Sequence, residues 1–293
     1  MSTVADLHRG LTHVFDPPTA FEDSDRLLAA AIEAAQRRLA RPIVVGLCGA
    51  QGSGKSTTAA RLAARLGGAG LPTAVVSLDD FYLTLAQRHA LARDVHPLLI
   101  TRGVPGTHDV ALAQATITAL LHAGADESVA APAFDKTSDD RAPLAEWPIH
   151  RGPIAVVMLE GWCVGARPQP DTALAVPVNP LERDEDGDGR WRRFVNDRLA
   201  GDYAQLFARL DLKLFLKAPD FGHVAGWRQQ QEAGLPRVAG RSRPAMDEAA
   251  LARFIAHYER ITRHLLDQAW ADITIAIGPD RVPLGHSGPA CGV

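Results

Sequence analysis

Eight residues constrain this chain more than any other stretch. Residues 49–56 read GAQGSGKS. They follow IVVGLC (43–48), a short apolar run rich in β-branched residues, and they open a segment with helical spacing over 55–66. Strand, glycine-rich turn and helix, in that order, are the context in which the pattern G-x-x-x-x-G-K-S cradles phosphate. Gly49, Gly52 and Gly54 let the backbone turn sharply, so that successive N–H groups point at one phosphate. The binding stretch is Gly49, Ala50, Gln51, Gly52, Ser53, Gly54, Lys55, Ser56 and Thr57. The helix start adds its partial positive charge. Lys55 can reach the β- and γ-phosphates, and the Ser56 hydroxyl suits Mg²⁺, which takes oxygen ligands. The expected ligands are a nucleoside triphosphate and Mg²⁺. A glycine turn with an accidental lysine is the bland alternative, and both flanking elements argue against it.

Along the rest of the chain, apolar runs alternate with segments of helical spacing. Further strands are expected at 73–78, 154–160, 211–217 and 272–277. Helices are expected at 24–41, about 109–123, near 194–210 and at 246–269. In the last of these Leu251, Phe254, Ile255, Tyr258, Ile261 and Leu265 recur at helical spacing and read as core. This alternation argues an α/β fold with a parallel sheet covered on both faces. The 293 residues read as one domain, with an N-terminal helical extension at 1–41. Residues 166–190, rich in Pro, Asp and Gly, read as an exposed insertion, and 278–293 as a loosely held tail. Within 184–195 the run DEDGDGRWRRFV begins like a calcium loop, but the twelfth position is Val195 where that loop needs Glu, so an acidic surface loop is expected.

Bulk properties exclude several classes. The formal net charge is only −3, which points neither to nucleic acid nor to an acidic disordered tail. Cys48, Cys163 and Cys291 are far apart, odd in number and without metal-ligand spacing. Cys48 lies in a buried strand and reads as a small core residue. MSTVADLHRG has neither the basic flank nor the apolar core of a leader peptide, and no apolar run is long enough to span a bilayer. A cytoplasmic protein, not bound to membrane, is expected.

Motors, GTPases, transporters and small-molecule kinases share such a cradle. An N-K-x-D base reader and an L-S-G-G-Q signature are both absent. A compact kinase remains, needing a metal site, a base and a lid. Glu160 closes the strand IAVVMLE, and ligands bind outside the carboxyl ends of parallel strands, so it can hold the metal's water shell or a substrate hydroxyl. SLDDFYLT (77–84) places two carboxylates at the end of another strand. Neighbouring strand residues face opposite ways. One aspartate should therefore face the transfer site as base, and the other should brace a loop or the metal shell. Asp79 is expected in the first role and Asp80 in the second. Phe81 and Tyr82 argue against a solvent turn.

GAQGSGKST, SLDDFYLT, RGVPGTHD (102–109), PAFDKTSDDR (132–141) and LEGWCVG (159–165) occur in this order. Together they resemble D-glycerate 3-kinase of the plant and fungal type, within the phosphoribulokinase, uridine kinase and pantothenate kinase group. The resemblance runs from about residue 43 to about 269. It implies a P-loop fold with a five-stranded parallel core and a helical lid, and transfer of phosphate from ATP to D-glycerate, giving 3-phosphoglycerate. It puts Asp79 in the base or metal-shell position and starts the basic lid at Trp227 and Arg228. Arg237, Arg241 and Arg243 follow and can join the lid.

A glycerate-like acceptor carries a carboxylate, which a fixed cation should hold; Arg102, Lys136 and Arg141 are the candidates. Tyr82, Thr107, His108, Asp109 and Asp135 complete the substrate-side set. Thr107 or Asp109 could equally cap the helix that follows. His108 is read as a hydrogen-bond donor to substrate rather than a metal ligand, since no second ligand is suitably spaced. Each cation could also be a solvated surface charge. A uridine- or pantothenate-type kinase is the alternative within the class. A P-loop protein that binds ATP without phosphorylating a metabolite is the alternative outside it. No nucleic acid partner is expected, and the assembly state expected is a monomer or weak homodimer.

Overall fold

The computed structural model describes residues 10–233 and 247–288, without the side chains of 231–233. In chain order the elements are β1 (His13–Val14), α1 (Ala20–Leu39), β2 (Ile43–Gly49), α2 (Lys55–Gly68), β3 (Thr73–Ser77), α3 (Leu85–Asp94), α4 (Val110–His122), β4 (Ser128–Ala130), β5 (Phe134–Asp135), β6 (Asp140–Arg141), β7 (Ile149–Arg151) and β8 (Val156–Gly161). Then come α5 (Asp171–Leu174), α6 (Pro180–Glu185), α7 (Arg190–Ala200), α8 (Asp202–Phe207), β9 (Leu212–Lys217), α9 (Phe221–Ala233), α10 (Glu248–Leu266), β10 (Ile273–Ile277) and β11 (Pro283–Ser287). Among the described residues no helix is long and apolar enough to cross a membrane.

One seven-stranded sheet organises the molecule, in the order β1-β11-β10-β9-β2-β8-β3. Its five central and later members, β10, β9, β2, β8 and β3, are parallel, and each answers an expected strand. Every residue of β2 and β8 is buried, whereas β3 alternates between buried and half-buried. That is the difference between strands inside a helix-covered parallel sheet and one at its edge. Helix α2 packs on β3, β2 and β8 through Thr58, Ala59, Leu62 and Leu66, a helical stripe.

Two expectations fail and a third holds only in part, each for a physical reason. Residues 283–287 are not a loose tail: β11 runs antiparallel to β10 and to β1, so both ends of the described chain are sewn into one sheet edge. Backbone pairing of this kind leaves little trace in apolar patterning. The segment 166–190 is largely exposed, as expected, but it is not unstructured and not free of interior residues. It holds α5 and α6, and Glu182 and Asp186 within it are buried. Glu182 accepts from Arg260 at 2.7 and 2.6 Å, and Asp186 from Arg192 at 2.9 Å and from the amides of Trp191 and Arg192. Of the acids of the 184–195 loop, Asp184, Glu185 and Asp188 are exposed, as expected of an acidic surface loop, and only Asp186 is buried, compensated by Arg192 on the next helix. The single helix expected near 194–210 is two, parted at Gly201.

Candidate active site

The cradle lies where β2 ends and α2 begins. Lys55 and Ser56 are the first two residues of α2, with Gly54 as N-cap at φ 85°. Gly52 also has φ 77°, and a Cβ there would meet Trp227 Cβ at 2.7 Å. Glycine is therefore required twice over, by conformation and by the lid helix lying against the turn. Trp227 sits within α9 and is buried; its Nε1 donates to Pro279 O at 2.9 Å.

Sheet register sets the carboxylates. Glu160 pairs with Leu47 of β2 and Ser77 of β3, so β8 delivers its acid level with the start of the cradle. Ser56 Oγ donates to Glu160 Oε1 at 2.7 Å, and Lys55 Nζ lies 4.0 Å from Oε2. Glu160 Oε2 is buried and has no hydrogen-bond partner. A hydroxyl plus an incompletely used carboxylate is an all-oxygen donor set that suits Mg²⁺. Among the described residues no group of three His, Cys, Asp or Glu could hold a metal alone. An ion here would draw its remaining ligands from phosphate and water.

The strand before SLDDFYLT ends at Ser77, and Leu78–Phe81 turn as a short 3₁₀ helix. The alternation rule therefore no longer applies, yet the two acids still part. Asp79 accepts from Tyr82 Oη at 2.8 Å and pairs with Lys136 Nζ at 3.3 Å. Burial works against its ionisation, but Lys136, Lys55, His108 and the Tyr82 hydrogen bond together lower its pKa to about 2. Asp80 turns away and accepts the Phe134 amide at 3.2 Å. Burial, with the charges of Asp79 and Glu160 adding to it, raises its pKa to about 6. Asp80 thus braces a backbone, and no contact joins it to Ser56 or Glu160.

The remaining expected residues divide. Tyr82 and His108 stack at 4.6 Å beside Asp79. Arg102 pairs with Asp139 and lies over the Phe134 ring. Arg141 bonds Tyr82 O at 3.2 Å and Asp109 at 3.1 Å. Asp109 is also the N-cap of α4, accepting from Leu112 N. Thr107 is wholly buried and closes its own loop, donating to Val104 O and accepting from Gly103 N. Asp135 is exposed and accepts the amides of Thr137 and Ser138. Thr107 and Asp135 are thus engaged by their own turns. Arg228 lies over the Phe254 ring, and the charges of Asp79, Arg102 and Arg228 all act on the buried Tyr258 hydroxyl. Arg237, Arg241, Arg243 and Cys291 lie outside the described residues. Cys48 and Cys163 are buried thiols whose pKa burial pushes up, consistent with core packing.

Two residues of the cleft carry no sequence signal. A cleft of about 410 Å³ over the cradle is lined by Gly52, Gly54, Lys55, Ser56 and Thr57 on one side and by Trp227, Gln230 and Arg281 on the other. Arg281 comes from the turn between β10 and β11, bonds Gln230 Oε1 at 2.7 Å and lies over the Trp227 ring. Only the sheet order, with β9 beside β2 and β10 beyond β9, brings this cation to the cradle.

A phosphate cradle at the carboxyl edge of a parallel sheet, with Glu160 on the neighbouring strand β8, Asp79 in the turn after β3 and a helix over the cradle, defines a P-loop kinase. Comparison with known proteins agrees. The chain is 34% identical over 226 residues to a Schizosaccharomyces pombe protein described as the uncharacterized kinase mug58, spanning 74% of this chain and 79% of that one. It is 29% identical over 249 residues to the chloroplastic D-glycerate 3-kinase of Arabidopsis thaliana, covering 82% of this chain and about half, 51%, of the plant protein. The D-glycerate 3-kinase structure from Cryptococcus neoformans superposes with a TM-score of 0.74 at 25% identity, over 90% of this chain and 98% of that one. No protein-family model matches. The chain belongs to the family of P-loop kinases that includes these D-glycerate 3-kinases.

Proposed function

We propose that the protein transfers the γ-phosphoryl group of ATP to the 3-hydroxyl of D-glycerate, yielding 3-phosphoglycerate and ADP. The observation that carries this reading is Asp79, paired with Lys136 of the β5–β6 hairpin at 3.3 Å and kept ionised by the charges of Lys136 and of Lys55 in the cradle. Phosphoryl transfer needs a carboxylate at the accepting hydroxyl, and an acidic acceptor needs a cation near that carboxylate.

Lys55 and the α2 N-terminus hold the phosphates and offset charge on the transferring group. Asp79 orients the acceptor hydroxyl and takes its proton as the new O–P bond forms and the bond to the β–γ bridging oxygen breaks. A pKa near 2 makes Asp79 a weak base but keeps it ionised. That suits a loose transition state, in which the proton leaves late and orientation matters most. Mg²⁺, when bound, would neutralise phosphate charge, and Ser56 with Glu160, directly or through water, are the residues that would hold it. Lys136, the most exposed of the candidate cations at 60%, supports the acceptor carboxylate. Arg102 and Arg141 support the walls through their own ion pairs. Helix α9, with Arg228, covers the site against water. The reading takes the chain as one kinase domain in the cytoplasm, a monomer or weak homodimer, which sedimentation would test.

The deciding experiment is ATP consumption with D-glycerate, L-glycerate, uridine and pantothenate, with product identification. Formation of 3-phosphoglycerate from D-glycerate is expected. ATP hydrolysis indifferent to every acceptor would overturn the reading.

A further inference from the structure

Three aromatic side chains from separate parts of the chain hold the loop 102–108. Trp162 Nε1 donates to Gly103 O at 2.9 Å, and Tyr258 Oη donates to Arg102 O at 3.1 Å. Tyr203, in α8, accepts the Gly106 amide at 3.1 Å. Tyr203 does something further: its Oη lies 2.6 Å from His108 Nδ1. Both side chains are buried, at 0% and 3% exposure.

Counting protons fixes the imidazole. A phenol has one proton to give and lone pairs to receive. The Gly106 amide already donates to Tyr203 Oη, and Nδ1 is the acceptor within reach of the phenol proton. Were Nδ1 protonated, the phenol proton and the Nε2 lone pair would both be left unmet in the interior. With Nδ1 accepting, only the Nε2 proton is unmet. Burial lowers the His108 pKa to about 4, against the pull of Asp79, so the ring carries a single proton at neutral pH. Nε2 is buried and has no hydrogen-bond partner among the described residues. Tyr82 covers one ring face and ties it to Asp79. Buried donors without partners are rare and need an explanation.

We propose that Tyr203 is a positioning residue that locks His108 as the Nε2–H tautomer, and that this N–H is the fixed donor to an oxygen of the bound acceptor beside Asp79. The inference rests on the reading of the site as an alcohol-phosphorylating centre. It makes the loop selective, since a site built to donate rejects an acceptor lacking the matching oxygen. Tyr203 lies 95 residues from His108 and touches no reacting atom in this account.

Long-range ¹H–¹⁵N NMR of the full-length protein at pH 7, without substrate, reads both ring nitrogens of His108. A protonated Nε2 and an unprotonated Nδ1 are expected; an Nδ1–H ring, or a rapid mixture, overturns the proposal. This readout does not depend on which alcohol is phosphorylated, so loss of the acceptor assignment and loss of the tautomer are told apart. Tyr203→Phe should let the tautomers mix and raise KM for the acceptor about tenfold, the size of one lost hydrogen bond, with KM for ATP unchanged. Should that variant fail to fold, His108→Gln and His108→Asn decide. Glutamine sets its terminal NH₂ where Nε2 stood and should retain acceptor affinity within a few-fold, whereas asparagine should not. Equal losses in both would overturn the proposal.

Discussion

Ser56 and Glu160 are joined by a 2.7 Å hydrogen bond across 104 residues of chain. The first opens the helix of the phosphate cradle, and the second closes the strand beside it. In the proposed reading, their bond marks where Mg²⁺ would be held. Glu160→Gln keeps the acceptor for Ser56 but removes the charge, and should lower kcat about 10²-fold while raising the Mg²⁺ concentration for half-maximal rate. A titration of rate against Mg²⁺ checks this; an unchanged midpoint would remove Glu160 from the metal site.

Asp79→Asn should lower kcat by about 10²–10⁴-fold with little effect on ATP binding, because the lost group acts on the acceptor hydroxyl. Stopped kinetics and nucleotide titration separate the two quantities. A variant retaining most of its rate would end the assignment.

Asp80 tests the electrostatics of the pair. Its folded pKa, about 6, exceeds the ordinary 3.8, so the folded state holds the proton more tightly. The associated stability is complete below about pH 4 and is lost as pH rises through 6. Asparagine can still accept the Phe134 amide without charge. Asp80→Asn should therefore be more stable than the parent by about 1–2 kcal/mol at pH 8, with the gain fading to nothing near pH 4. Urea unfolding across that range measures it.

Arg281 makes the cleft wall opposite the cradle. Arg281→Ala removes the bond to Gln230 and the contact over Trp227, and should raise KM for ATP about tenfold while leaving KM for the acceptor alone. Equal effects on both would mean that the residue serves the lid as a whole.

The buried pair Arg260–Glu182 anchors the largely exposed segment 166–190. Arg260→Met leaves a buried carboxylate without its partner and should destabilise the protein by about 3–5 kcal/mol. Replacing Glu182 by Gln in the same variant should recover part of that loss. Chemical denaturation of the single and double variants compares them.

Much of the molecule is legible in local pattern. Apolar runs mark the parallel strands, continuous in β2 and β8 because a strand buried on both faces must be apolar throughout, and broken by half-buried positions in β3, β9 and β10. GAQGSGKS marks the cradle, since only that order of glycines, lysine and serine fits a strand-to-helix turn around phosphate. SLDD and the terminal acid of β8 are visible for a related reason: carboxylates at the ends of buried strands are out of place unless used. Tertiary structure decided the rest. Which aspartate pairs with Lys136 and which with the Phe134 amide depended on a 3₁₀ turn rather than strand alternation. Arg260 and Arg192 allowed Glu182 and Asp186 to be buried within an otherwise exposed segment. The pairing of β11 brought Arg281 to the nucleotide cleft, and helix α8 brought Tyr203 to His108. Local sequence records what each segment buries. It does not record which distant segment supplies the opposite charge, the missing proton or the next strand, because those pairings exist only once the sheet order has set the distances.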